Sequence, residues 1–154
     1  MTLWDWAVHA YARPGTGALC LTLQDEHGQC VSFLIWAAWS AKRGAIDSAS
    51  LSKAAALARD WETTTLKPLR AIRRALKQPA DGVDAAGQDR LRARIQDDEL
   101  AAERLLLEAL EILTPPGTAG AADLGQVLRD AADAWGVRLP PTLLKRLIEA
   151  FSAA

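Results

Sequence analysis

Four side chains could hold a soft or borderline metal: His9, Cys20, His27 and Cys30, all within the first thirty residues. Zinc takes such ligands in a tetrahedron. The spacing argues against it, because only His27 and Cys30 are neighbours and no C-x-x-C pair occurs. Both cysteines are expected to be small core residues, and neither a metal nor a cofactor is expected. Thiol chemistry needs a base and an orienting acid beside the nucleophile. Cys30, His27 and Asp25 have the right types, but three residues so close in sequence rarely converge. Asp97-Asp98-Glu99 is the one dense acidic run. A carboxylate metal site on helices needs a second set across a bundle, for which Asp25-Glu26 is a weak candidate. No phosphate loop, G-x-G-x-x-G, G-x-S-x-G or H-E-x-x-H is present. Asp5, Gln24, Asp25 and His27 are the polar groups that could line an N-terminal pocket of a small helical enzyme.

Two other features suggest contact rather than catalysis. Six tryptophans are present, and four of them, Trp4, Trp6, Trp36 and Trp39, flank one N-terminal unit. Most should be core fillers. Trp4 and Trp6 cannot both face the core from one helix, so one of them is a candidate interface anchor. Lys67, Arg70, Arg73, Arg74 and Lys77 crowd a second segment, opposite Leu66, Leu69, Ile72 and Leu76. Such a basic amphipathic helix could meet a protein partner or nucleic acid. The competing reading pairs it internally with Asp97, Asp98, Glu99 and Glu103. If the helix serves an anionic partner, Arg70, Arg73 and Arg74 should form an exposed stripe without close carboxylates.

The elements that must position these groups are helical. Ala and Leu number 31 and 23 of 154 residues, against 11 for Val and Ile together. Strong helix formers thus outweigh the β-branched residues that favour strands. The expected fold is all-α, a compact bundle of six to eight helices. Thr2 and Asp5 cap a helix over residues 3–12. A second segment, from Ala18 to Leu23, runs on toward Gly28 at C′. Val31 to Ala41 is apolar nearly all round, which places it at the centre of the bundle, with Trp36 or Trp39 fully buried. Asp47 caps a fourth helix, and a fifth runs from Asp60 to Lys77, kinked or restarted at Pro68. Residues 78–87 read as a mobile loop. Asp89 opens a long helix to Leu113, along which Leu91, Ile95, Asp98, Ala102, Leu105, Ala109 and Ile112 recur as a seven-residue repeat. The main helical domain is expected at 1–113, a Pro/Gly linker at 114–120, and a helical hairpin at 121–154 packed on the rest. In that hairpin Phe151 should dock while Ala153 and Ala154 stay free, as a degradation signal would require.

The net charge of −1 conceals a segregated layout, −2 over residues 1–40, +6 over 41–78 and −5 over 79–154. A basic middle and an acidic tail can attract each other within one molecule. The N-terminus has no signal-peptide pattern. The longest apolar run, Phe33 to Trp39, is far short of the ~20 residues that span a bilayer. Two cysteines are too few for a disulfide framework, so a cytoplasmic protein without membrane contact is expected.

The segment Leu3-Trp4-Asp5-Trp6-Ala7, with Tyr11, Pro14-Gly15, Cys20 to Gly28, Val31 and the Leu34 to Trp39 run, resembles a family of small proteobacterial proteins of about 160 residues. It is a domain of unknown function, and the resemblance spans roughly residues 3–110. It implies a bacterial cytoplasmic protein and no particular activity. The family pattern has polar residues near Cys30 and Ser32, where this chain departs from it. The expected function is therefore a non-enzymatic interaction or regulatory module with a protein partner. A small helical enzyme is the alternative, and nucleic-acid binding through 67–77 is a further one.

Overall fold

The structure, a computed structural model, describes residues 1–117 and 120–154. The described residues form eight α-helices and no strand: α1 Leu3–Tyr11, α2 Thr16–His27, α3 Val31–Ala41, α4 Ser48–Trp61, α5 Lys67–Ala75, α6 Ala85–Ile112, α7 Leu124–Trp135 and α8 Pro141–Ser152, with a π-turn at Glu62–Leu66 joining α4 to α5. The all-α expectation holds, and so does the central helix. All eleven residues of α3 are buried, and the helix touches α1, α2, α4, α6 and α7. Trp36 and Trp39 are 0% and 4% exposed. Trp36 also donates its indole N–H to Thr114 Oγ1 at 3.0 Å, so its one polar atom is satisfied.

Local chemistry sets most boundaries. Thr2 Oγ1 accepts from the Asp5 N–H at 3.1 Å while the Asp5 carboxylate reaches back to the Thr2 N–H, a capping box. Gly28 closes α2 in the left-handed conformation, φ +62°, which a side chain would resist. Asp47 and Asp123 cap α4 and α7.

Three expectations are corrected. First, α4 and α5 are one uninterrupted helical run. The Lys67 N–H reaches the Glu62 carbonyl, an i→i−5 bond, so the π-turn re-registers the backbone ladder just before Pro68, which cannot donate. The Thr64 hydroxyl donates to the Asp60 carbonyl at 2.8 Å within the same stretch. Second, α6 starts at Ala85 rather than Asp89, because Asp84 accepts from the Gly87 N–H at 2.7 Å. A Cβ at Gly87 would lie 2.8 Å from that carboxylate, so the cap itself calls for glycine. Gln88 then pins the preceding segment: it donates to the Leu76 and Gln78 carbonyls and accepts from the Ala80 N–H. Third, the seven-residue repeat is not the buried seam of α6. Leu91, Leu105 and Ile112 are exposed, while Ala102, Leu106, Leu107 and Leu110 are buried. α6 meets α1 and α3, and the face it buries is a different one.

Of the Pro/Gly linker, residues 118 and 119 lie outside the described residues. Past it, the Ala122 N–H donates to the Ala41 carbonyl at 2.8 Å. From there α7 packs on α3 and α4, and α8 packs on α7 and α2. Phe151 is buried against Trp6, ring centroids 5.6 Å apart. Of the expected free Ala-Ala end, Ala153 is exposed and Ala154 is not. Arg13 donates to the Ala153 carbonyl at 2.7 Å, Lys42 donates to Ala154, and Ala154 is half-buried.

Trp36→Ala should cost about 3–5 kcal/mol, since it empties the centre of the bundle. Ile112→Ala, at a site 84% exposed, should stay within about 0.5 kcal/mol of native. Urea titrations compare the two. A loss below about 1 kcal/mol for Trp36→Ala would refute the central placement of α3.

Candidate functional site

The most strongly coupled polar groups of the chain are gathered around Arg70. This arginine is only 6% exposed. Its Nη1 donates to both oxygens of Glu62 at 3.1 and 3.0 Å, its Nε to Glu99 at 3.2 Å and its Nη2 to Glu103 at 3.3 Å. Arg73 Nε binds the other Glu99 oxygen at 2.6 Å. The π-turn makes the first of these contacts possible. Eight α-helical steps leave two positions about 80° out of register, whereas seven leave them about 20° apart. One extra residue in the turn therefore brings Glu62 and Arg70 close to one face. The arginine side chain leans toward its helix N-terminus, as helical side chains do, and covers the distance.

Two guanidinium groups face three carboxylates, so the cluster carries a surplus negative charge. Burial works against the charge on Arg70, but Glu62 and Glu103 outweigh it and its pKa is raised. Burial likewise raises the pKa of Glu103. Arg70 opposes that shift, and Glu99 and Glu62 add to it. Neighbouring groups respond to the same surroundings. The Cys30 thiol, buried beside Glu62, is pushed up chiefly by burial. Cys20 is raised to about 11, first by burial, while its contact with Tyr11 works the other way. The Tyr11 hydroxyl is raised by burial, then by Cys20 and Glu103. All three are protonated at neutral pH.

Two cavities flank this cluster, with Gln24 in the wall of both. The first, about 410 Å³, lies between α1, α2, α3 and α6. Trp4, Val8, Tyr11, Leu21 and Leu100 are among its apolar lining, and Arg73, Glu99 and Glu103 form its polar wall. The second, about 340 Å³, is polar and is lined by Asp25, Gln29, Glu62, Lys67, Arg70, Arg74 and Trp135 among others.

The groups singled out in the sequence are thus partly assembled. Gln24 and Asp25 share the polar cavity with Lys67, Arg70 and Arg74. Asp5 is elsewhere, occupied in capping α1, and His27 is half-buried outside both linings. The four do not form one pocket. The exposed arginine stripe is corrected: Arg70 and Arg73 are held by α6 carboxylates, and Arg74 pairs with Asp25 at 2.9 Å. Opposite charges on packed helices have neutralised each other. Lys67 and Lys77 are exposed. Trp6 is also corrected as an anchor, since its ring is buried under Phe151 and Lys42. Trp4 is half-buried beneath Arg104 and reaches the apolar cavity. Among the described residues no group of three or more His, Cys, Asp or Glu is placed to hold a metal ion. Sequence reasoning missed Glu62, Tyr11, Leu21 and Leu100, and the isolated acid Glu62 just before three threonines was the only local irregularity.

The chain belongs to the family described as "Protein of unknown function (DUF2390)", whose profile matches residues 2–110. That stretch contains every residue of the Arg70 cluster and of the apolar cavity. No curated protein and no solved structure matches the chain. Among the described residues no helix is long and apolar enough to cross a membrane.

Arg70→Ala should destabilise the protein by about 3–5 kcal/mol at neutral pH, because three carboxylates are left without their shared partner. The loss should shrink as pH falls and Glu103, whose pKa is raised, takes its proton. Equal losses at pH 7 and pH 5 in urea titrations would count against the network. Glu103 gives a second test. Its pKa is raised above the ordinary 4.5 in the folded state, so its contribution to stability is present below that value and is lost as pH rises through the folded pKa. Glu103→Gln should abolish that part of the pH dependence, and the variant should gain on the native protein between pH 4.5 and neutrality.

Proposed function

We propose that this protein is a non-enzymatic interaction module that receives an apolar side chain of a partner protein in the cavity between α1, α2 and α6. One observation carries the reading. Val8, Tyr11, Leu21 and Leu100 are 48%, 41%, 56% and 54% exposed, and all four line the same 410 Å³ cavity. Scattered exposed apolar residues are ordinary, but a contiguous set around a concavity marks a contact site. Burying such surface stabilises a complex by roughly 25 cal/mol per Å² before the costs of association. The raised pKa of Glu103 at the cavity wall adds support, because perturbed groups cluster at functional sites.

The surrounding chemistry favours binding over turnover. Burial raises the pKa of both thiols, Cys20 and Cys30, and a protonated thiol is a poor nucleophile. Arg70 has each of its three nitrogens on a carboxylate. The two free cysteines accord with a reducing cytoplasmic setting.

The test is selection of displayed random peptides on the whole protein. Enriched peptides should carry a large apolar residue and should bind Leu21→Glu or Leu100→Glu at least about tenfold more weakly, a loss of about 1.4 kcal/mol. Both side chains are exposed, so both variants should melt as the native protein does. Peptides that bind native and variant proteins equally would remove the cavity as the contact site.

A further inference from the structure

The apolar cavity is not electrically neutral, and its imbalance specifies what completes it. Arg73 in its wall is spent on Glu99, with Nε on Oε2 at 2.6 Å. Arg70 behind the wall is spent three ways, on Glu62, Glu99 and Glu103. Arg104, above the Trp4 ring, is hydrogen-bonded to Glu108 at 2.8 Å. Arg73 and Arg104 each keep N–H groups beyond these bonds, but each already has a carboxylate partner, so the balance at the wall is one of charge. Of the two carboxylates, Glu99 is held through both oxygens, whereas Glu103 is not: an ionised carboxylate offers about four acceptor positions, and among the described residues Glu103 uses one, at Oε1. The side chain of Glu103 is 28% exposed, so its remaining capacity is open to an incoming group. The charges lining the cavity, Arg73, Glu99 and Glu103, sum to −1.

From this charge balance we infer that the partner segment entering the cavity carries a primary ammonium, as in a lysine side chain, next to its apolar anchor, and that Glu103 receives it. The inference rests on the contact reading above and deepens it. Glu103 is half-buried, and partial withdrawal from water strengthens a charge-assisted bond made there. An acidic anchor has the opposite prospect. It meets a surplus carboxylate, so like charges repel. The apolar rim supplies affinity whatever the charge, and Glu103 supplies the choice among apolar partners.

The probes that separate these contributions are 4-phenylbutylamine, 4-phenylbutanol and 4-phenylbutyrate, which share one apolar body and differ in end group. Titrations into the full chain at pH 7.5, followed by amide chemical shifts, give three dissociation constants. The expected order is amine tightest, by about fivefold or more over the alcohol, with the carboxylate weakest. Glu103→Gln should bring the amine to the level of the alcohol and leave the alcohol unchanged, which a variant that merely disturbed packing would not do. Higher salt should weaken only the amine. An alcohol bound as tightly as the amine in the native protein overturns the ammonium inference and leaves the contact reading standing. Failure of all three probes to shift resonances of Val8, Leu21 and Leu100 overturns both.

Discussion

A helix with no polar face must be enclosed on every side, and the rest of this structure is the enclosure of α3. Its run from Val31 to Ala41 has no side that could meet water without cost. Each neighbour is consequently bound to present an apolar stripe. The chain supplies them in alanine and leucine, which pack closely and favour helix. α7 offers Val127, Leu128, Ala131 and Trp135, the lower half of α6 offers Ala102, Leu106, Leu107 and Leu110, and α4 offers Leu51, Ala54, Ala55 and Ala58. Even the C-terminal helix is drawn in, through Phe151 on Trp6. A helix that satisfies this requirement with one face leaves another face for something else, and α6 is the instance that matters.

Another face of α6 packs on α5, and this contact is ionic where the contact with α3 is apolar. Arg70 and Arg73 meet Glu99 and Glu103 there. A buried ionic cluster is a poor source of stability compared with an apolar substitute of the same volume. What it supplies is geometric definition: a guanidinium with three carboxylate partners admits few arrangements of the helices that bear them. The π-turn belongs to this arrangement, since Glu62 comes into register with Arg70 only through the extra residue. Rigid placement of α5 on α6 in turn shapes the walls of both neighbouring cavities. This is the condition a binding site needs if its occupant is to be met without rearrangement.

Much of the scaffold could be read from residues, and the reason is local. The Thr2/Asp5 cap, Gly28 as a helix stop, the caps Asp47 and Asp123 and the uniform apolarity of α3 all act within a few positions of the chain. The failures are of a different kind. The seven-residue spacing in α6 is real, yet a spacing says only that residues share a face, and which face is covered depends on where α1 and α3 arrive. Pro68 promised a break, but the π-turn that accommodates it is held by a contact eight residues away and by two glutamates on another helix. Of the site, Gln24 and Asp25 were legible as pocket candidates, and the basic helix was legible with its alternative duty of internal pairing, which Arg70 and Arg73 perform with Glu99 and Glu103. The apolar cavity was not legible, because Val8, Leu21 and Leu100 come from three helices and each alone looks like an ordinary surface residue.

The charge layout connects scaffold and site. A basic middle of +6 and an acidic tail of −5 might have served solvent or an external polyanion. In the folded chain they meet instead across α5 and α6, so the long-range asymmetry collapses into pairs a few ångströms apart. The cancellation is uneven in space. The residues lining the apolar cavity sum to −1, whereas Lys67, Arg70 and Arg74 against Asp25 and Glu62 leave the polar cavity at +1. The two linings share no charged residue, so Arg70 and its partners form a wall with opposite signs on its two sides. Water screens surface charge such as Lys67, Asp25 and Arg74 within about 8–10 Å at ordinary ionic strength, but Arg70 and Glu62, which are buried, are screened far less. Any molecule entering either cavity therefore meets a field fixed by the packing of α5 on α6, before it makes a single direct contact.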